Sequence, residues 1–379
     1  MQVLFVSGIG GDTRRYRCAH HQEQLALCSH TSVLREPDDL RLYVDATEAD
    51  LVILHRVPWS PLIADVVDIA HARGHAVVFE TDDLIFAPEL FDRIAFLDTL
   101  PPDQAERFRK DLAGQVETFA HCDCVLTTTQ FLADAAVERG KPAYVQRNAF
   151  SAEMVRSAEA AYALRQQRLA HAEGSKQPVV IGYFSGTGSH NRDFAVVSPV
   201  LAELLGRYPN VLLHLSGHLD IGGALLAHQG RIRRAPYVAW QELPNIVAQV
   251  DINLAPLELD NPFCQAKSEI KYSEAALLGV PTVASPTQAF AYAIKDGENG
   301  YLARTPDEWR TALTALIDQP NLRHQVGEQA RRSVYEQYLP DVAASTLVET
   351  FTTIAKRHAP RAANAKAILG LTAERMDRR

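Results

Sequence analysis

The chain has 379 residues, of which 47% are hydrophobic and 22% charged, with a formal net charge of −8 and a pI near 6.0. This is the composition of a globular protein long enough for two domains, and it argues against a general nucleic-acid binder, which needs a basic stripe to displace counterions from a phosphate backbone. Five cysteines, Cys18, Cys28, Cys122, Cys124 and Cys264, are too few for a disulfide scaffold, and the lone Cys-x-Cys pair lacks the spacing of a structural zinc site.

The N-terminus enters a strand directly, MQVLFVSG, without a basic region or cleavage site. No run of eighteen apolar residues occurs, so a cytoplasmic protein is expected. Short apolar runs at Val3–Ser7, Leu51–His55, Ala76–Glu80 and Cys124–Thr128, with a shorter one at Ala143–Gln146, alternate with amphipathic segments such as Pro61–Arg73 and Ala105–Phe119. That alternation reads as βαβ units with a parallel sheet, hence one Rossmann-like domain over residues 1–165. Residues 151–177 are polar and helix-prone without a strand signal, and the linker is expected where they end, at Gly174-Ser175-Lys176-Gln177-Pro178. A second set follows over 176–335: strands at Val179–Phe184, Val211–Ser216, Ala235–Val238, Ile252–Pro256, Thr282–Ala284 and Gly300–Leu302, and helices at Ala195–Tyr208, Glu242–Gln249, Glu269–Leu278 and Asp307–Ile317. Residues 336–379 read as a C-terminal helix that packs back on the first domain, plus a basic tail. The fold class is therefore α/β, two doubly wound domains, with ligands expected at the carboxyl ends of the strands in the cleft between them.

Each domain opens with a glycine-bearing turn after its first strand, where backbone N–H groups can approach an anion closely. In the first, Ser7-Gly8-Ile9-Gly10-Gly11-Asp12-Thr13-Arg14-Arg15 places Gly10 and Gly11 beside Arg14 and Arg15. It is not a Walker A loop, and it misses the G-x-G-x-x-G fingerprint because Thr13 stands three beyond Gly10. In the second, Gly186, Thr187, His190 and Arg192 cluster in Ser185-Gly186-Thr187-Gly188-Ser189-His190-Asn191-Arg192-Asp193, which also suits a plain solvated loop. Later, Lys267, Lys271 and Glu274 fall at i, i+4 and i+7, with Ser268 a plausible N-cap. A lysine in a first helical turn opposes the helix dipole unless an anion is near, so the pattern fits a bound phosphate with a glutamate a turn later for hydroxyl groups. A solvated charged face would look the same.

These residues carry a resemblance. IGYFSGTGSHNRDF, KYSEAALLGVPTVAS and IKDGENGYLA together resemble the C-terminal half of retaining glycosyltransferases of family 4, over roughly residues 179–335. The resemblance implies the GT-B architecture of two Rossmann-like domains. It implies that Glu274 binds the hydroxyls of a nucleotide ribose, that Lys271 and Arg192 hold the diphosphate, and that the Gly10-Gly11 turn faces that diphosphate. One departure is plain: the family's first glutamate, eight residues before Glu274, is here Ala266. Either Glu258, Asp260 or Glu269 substitutes, or the sugar lacks the hydroxyl that carboxylate would read.

The chemistry such a site needs is stabilisation of a sugar–phosphate bond as it breaks. Arg14, Arg15, Arg192, Lys267 and Lys271 are the candidate cations, numerous enough that no metal or other cofactor is expected. Glu80-Thr81-Asp82-Asp83 ends a strand, so Asp82 and Asp83 are candidates for orienting or deprotonating an acceptor hydroxyl, or alternatively for an N-cap in a solvated acidic turn. His55, also at a strand end, is a candidate for acceptor or diphosphate contact. With Lys271 these three make up the candidate catalytic set. His20-His21 lacks a second ligand pair, and Trp59 and Trp240 suit stacking on a sugar or base as well as ordinary packing. The tail after Lys356 reads as a frayed terminus or as a basic helix suited to an anionic membrane surface.

The function expected is metal-independent, retaining transfer of a sugar from a nucleotide diphosphate-sugar to a hydroxyl of a glycan or lipid-linked acceptor, in cell-envelope polysaccharide synthesis. The alternatives are an inverting GT-B enzyme, a sugar-nucleotide epimerase or phosphorylase, and a non-catalytic sugar-nucleotide or glycan-binding protein.

Overall fold

The computed structural model describes residues 1–94, 97, 100–172, 177–186 and 191–358. They divide into two compact units: Met1–Phe150 with the chain from Pro340 onward, and Ser151–Leu339. Each is built on a six-stranded parallel sheet.

In the first unit the strands are β1 Gln2–Ser7, β2 Thr31–Arg35, β3 Leu51–His55, β4 Ala76–Thr81, β5 Cys124–Thr127 and β6 Ala143–Val145, in the order β2-β1-β3-β4-β5-β6. The direction of winding reverses between β1 and β3, and in doubly wound sheets that switch point is where the strand ends open a crevice. β1, β3 and β4 are buried almost throughout, which is why they read as continuous apolar runs. On one face Val3, Phe5, Leu51, Ile53, Ala76, Val78, Cys124 and Leu126 pack with Cys18 and Leu25, and with Leu347, Phe351 and Ile354 of the helix Pro340–His358. The strand β2 was not expected. Its sequence, TSVLR, is half-exposed and carries no apolar run, and it joins the sheet as an edge against β1.

In the second unit the strands are β7 Val179–Phe184, β8 Val211–Ser216, β9 Ile232–Ala235, β10 Ile252–Ala255, β11 Thr282–Ala284 and β12 Tyr301–Leu302, in the order β12-β11-β10-β7-β8-β9. Here the switch lies between β7 and β10. The edge strand β9 falls at Ile232–Ala235 rather than Ala235–Val238, with Arg233 and Arg234 exposed on it. An edge strand with two arginines hides from an apolar-run reading. The core joins Ile181, Tyr183, Phe194, Leu201, Leu213, Ile252, Leu254 and Trp309.

The chain passes between the units at Phe150–Ser151 and again at Leu339–Pro340. The reason is the helix Ala152–Ala172. Its buried Arg165 donates to the carbonyls of Ala248 (3.2 Å) and Val250, tying the helix to the chain just before β10. Residues 173–176, at the expected linker, lie outside the described residues.

Candidate active site

At the carboxyl end of the first sheet, the apolar face turns polar. Ser7, His55 and Glu80 are in-register neighbours on β1, β3 and β4, so their side chains point to the same face. All three are buried. A π-helical stretch, Arg15–Ala19, follows the short helix Gly11–Arg14, and within it Arg17 is also buried. Its Nε donates to Glu80 Oε1 at 2.6 Å, while Nη1 donates to the Gln146 carbonyl (2.8 Å) and to Asn148 Oδ1 (3.0 Å). Burial pushes the Glu80 carboxyl up to about 7 against the pull of Arg17. The His55 ring lies 2.9 Å from Ser7 Oγ through Nδ1 and 3.1 Å from Thr13 Oγ1 through Nε2. Burial lowers its pKa to about 3, so the ring is neutral. His55 is thus enclosed by protein groups at both nitrogens.

The glycine turn sits above this layer. The Gly8 N–H donates to the His55 carbonyl at 2.9 Å, and a Cβ at Gly8 would lie 2.4 Å from the Arg56 carbonyl oxygen, so only glycine fits there. Gly10 and Gly11 face open space, with Gly11 in the left-handed region at φ +73°. Arg14 pairs with Glu36, and Arg15 pairs with Asp12 at 3.0 Å while lying over the Tyr16 ring. Asp82 accepts from Arg56 Nη1 at 3.2 Å, and Arg56 itself holds φ +50°, a strained backbone for a non-glycine residue. Asp83 Oδ1 accepts from the Leu84 N–H at 3.0 Å.

In the second unit, Thr187 and His190 lie outside the described residues, and Gly186 is exposed with open space where a Cβ would be. Arg192, on the short helix Asn191–Ala195, pairs with Glu258 at 3.0 Å. The neighbouring Asp193 is buried, and its Oδ1 accepts from the Glu258 N–H and the Cys264 thiol, each at 3.2 Å. These contacts link the helix Asn191–Ala195, which follows β7, to the segment that follows β10.

The helix that carries Lys271 and Glu274 is Ile270–Ala276, shorter than expected, and its N-cap is Glu269, with no side-chain cap bond. Ser268 is therefore not the cap. Lys267 precedes the helix, its N–H closing a turn onto the Cys264 carbonyl, so it does not continue the Lys271–Glu274 face. Lys271 donates from Nζ to the carbonyl of Phe184, the last residue of β7, and lies 5.0 Å from the centre of the Tyr183 ring. Loss of water around the ammonium lowers its pKa, opposed by Glu274 and Asp193. Glu274 lines a recess with Trp240, Leu243, Pro244, Val247, Leu277, Leu278, Met154 and Ala158, and is the charged residue among these described ones.

Ala266 is fully buried. Of the residues weighed as its substitutes, Glu269 accepts from the Tyr338 hydroxyl at 2.8 Å, Glu258 is held by Arg192, and Asp260 is exposed. Among the described residues, Asp193, Glu258 and Cys264 bring candidate metal-ligand atoms within 4.8 Å of one another. Asp193 Oδ1 already accepts two hydrogen bonds there, and burial holds the Cys264 thiol in its protonated form. Arg17 and Asp193 escaped the sequence reading because a charged residue in a helix looks solvated until its burial is known. The one available signal was Glu80 itself, a carboxylate closing an apolar strand run. Trp59 stacks on His121 at 4.1 Å.

The family model described as glycosyl transferases group 1 matches residues 179–319. No curated protein matches the sequence. Among solved structures, the chain is similar to Anabaena HepE in complex with UDP, at 16% identity and TM-score 0.62 over 93% of this chain and 100% of that one. A complex of the same Anabaena protein with UDP-glucose aligns at 18% identity and TM-score 0.60, with the same coverage. A glycosyltransferase from Rickettsia africae aligns at 11% identity and TM-score 0.63 over 94% and 99%. At these identities the structural likeness establishes the fold, two parallel six-stranded sheets as in GT-B enzymes. With that fold, and with a glycosyl transferases group 1 domain over residues 179–319 of its second unit, the chain is a glycosyltransferase.

Proposed function

We propose that this glycosyltransferase moves one sugar from a nucleotide diphosphate-sugar to a hydroxyl of a glycan or lipid-linked acceptor, with retention of anomeric configuration, without a metal ion, and in cell-envelope polysaccharide synthesis. The observation that carries the reading is that Glu274, on the helix that brings Lys271 to the end of β7, shares one recess with Trp240. An indole beside a carboxylate suits a nucleoside: the ring stacks on a base, and the carboxylate accepts from ribose hydroxyls. The UDP and UDP-glucose bound to the similar Anabaena protein support a uridine donor.

In the reaction the bond between the anomeric carbon and the phosphate oxygen breaks, leaving the electron pair on the diphosphate. The acceptor oxygen bonds to the same carbon, and its proton passes to the leaving phosphate. Lys271, Lys267 and Arg192 offset the charge that grows on the diphosphate, Arg192 by exchanging Glu258 for phosphate. In the first unit, the N–H groups at Gly10 and Gly11 and the side chains of Arg14 and Arg15 serve substrate anions, and Asp82, steered by Arg56, orients a hydroxyl. The protein acts in the cytoplasm. Among the described residues no helix is long and apolar enough to cross a membrane. The basic tail, outside the described residues, supplies contact with an anionic membrane face.

The test is release of UDP from UDP-glucose, UDP-galactose and UDP-N-acetylglucosamine in EDTA, with Glu274→Ala as control. Release by the wild type and its loss in the variant are expected. Equal release by both would remove Glu274 from the donor site, and no release from any nucleotide-sugar would favour a binding protein.

A further inference from the structure

Three buried features outside the donor recess stand out. The Asp193–Glu258–Cys264 group has its ligand atoms already engaged, the Cys264 thiol on Asp193 Oδ1 and the Glu258 carboxylate by Arg192 and Asn261, and His21 is a buried ring packed against the Phe5 and Phe351 rings. The third, the His55 ring, has a geometry that determines where its proton is.

Ser7 Oγ has one proton and donates it to the Ile9 carbonyl at 2.8 Å. Toward His55 Nδ1, 2.9 Å away, Ser7 can then only accept, so Nδ1 carries the ring proton. Nε2 is left with a lone pair, and Thr13, 3.1 Å away, donates its hydroxyl proton to it. Glu80 Oε2 stands 3.6 Å from the same Nε2, beyond hydrogen-bond reach. The result is a one-way chain, Thr13 to His55 to Ser7 to the Ile9 carbonyl. Ser7 and Thr13 flank the glycine turn, and the ring that ties both comes from the neighbouring strand. The base of the turn is held further by the Gly8 N–H on the His55 carbonyl, while Gly10 and Gly11 stay open.

We propose that His55 is a positioning residue that clamps the Gly8–Gly11 turn through this proton-ordered chain, fixing the shape in which Gly10 and Gly11 present their N–H groups to a substrate anion. It does not act as the base on the acceptor. This rests on the reading of the protein as a nucleotide-sugar enzyme, and the experiment separates the two.

The first arm needs no ligand. In ¹⁵N-labelled full-length protein, His55 is expected as the neutral Nδ1–H form from pH 5 to 8, and Thr13→Val is expected to lower the backbone amide order parameters of Gly10 and Gly11. An imidazolium or an Nε2–H form, or unchanged order parameters, would overturn the clamp. The second arm measures the Kd of whichever of UDP, GDP, ADP and dTDP binds the wild type. Thr13→Val and His55→Asn are each expected to raise that Kd about tenfold, with the double variant no worse than either, because both cut one chain. An unchanged Kd in His55→Asn with turnover reduced 10²-fold or more, on the order of what a general base contributes, would return His55 to a catalytic role. Should none of the four bind the wild type, the nucleotide reading fails and the first arm still decides the clamp. Should His55→Asn not fold, the labelled wild type and Thr13→Val decide it.

Discussion

Arg17 Nε and Glu80 Oε1 lie 2.6 Å apart with both side chains sealed from solvent, at the switch-point end of the first sheet. A buried pair adds little net stability over apolar residues, but removing one partner leaves the other charge uncompensated. Arg17→Leu is therefore expected to destabilise the first unit by about 3–5 kcal/mol, and Arg17→Met with Glu80→Leu to recover most of that loss. Chemical denaturation followed by fluorescence checks both. A single variant as stable as wild type would show that the pair is solvated.

Three rings in the same unit are held neutral by burial: His20 with a pKa lowered to about 4, His55 to about 3, and His21 well below the ordinary value. The unfolded chain takes up protons near pH 6.5, so the stability tied to these rings is complete above that pH and is lost as pH falls toward 4 and then 3. Glu80, raised to about 7, works the other way: its contribution is complete below about 4.5 and is lost as pH rises through 7. Three rings outweigh one carboxyl. Unfolding free energy is expected to drop by on the order of a few kcal/mol between pH 7 and pH 5. A flat or rising profile over that interval would mean the rings are hydrated.

Glu274→Gln keeps the shape of the recess and removes the charge. Hydrogen bonds to a charged acceptor contribute about 1.5–3 kcal/mol, so nucleoside diphosphate affinity is expected to fall roughly 10- to 150-fold while the melting temperature without ligand holds. Calorimetric titration of the variant checks it, and an unchanged affinity would contradict the ribose assignment.

The two loop tryptophans should separate cleanly. Trp240 lines the recess with Glu274, whereas Trp59 stacks on His121. Aromatic stacking contributes about 0.5–1.5 kcal/mol, so Trp240→Ala should weaken nucleotide binding roughly 2- to 12-fold and Trp59→Ala should leave it alone. Ligand quenching of indole fluorescence in the two variants reports which ring is covered.

In the second unit the helix Pro306–Asp318 begins with a capping box, Thr305 accepting from the Glu308 N–H while the Glu308 carboxylate accepts from the Thr305 N–H. Thr305→Ala is expected to cost about 0.5–2 kcal/mol with catalysis unchanged. Differential scanning calorimetry of the variant gives the value.

Interior strands were legible because burial on both faces demands apolar residues, as in LVILH at β3 and AVVFE at β4. The edge strands β2 and β9 need none of that: TSVLR carries no apolar run, and the apolar signal near IRRA points to Ala235–Val238, three residues downstream of the strand. Glycine turns after the first strand of each unit were visible for a backbone reason that does not depend on context. The polar layer beneath the first turn was visible only in part. His55 and Glu80 stand out as polar ends of apolar runs, but Arg17 reaches them through a π-helical stretch that its sequence does not announce. The placement of Lys267 failed for a similar reason: a helix break at Lys267–Glu269 sets the i, i+4 spacing aside.

The central claim, a nucleotide-sugar site built on Glu274 and Lys271 that works without metal, is tested most directly by the thermal stability of the purified protein with UDP, GDP, ADP and dTDP, each in EDTA and each with Mg²⁺. Ligand at a hundred times its Kd stabilises by about 2.7 kcal/mol. Stabilisation by one nucleotide in EDTA, lost in Glu274→Ala, is the predicted result. Stabilisation only when Mg²⁺ is present, or by none of the four, would contradict it.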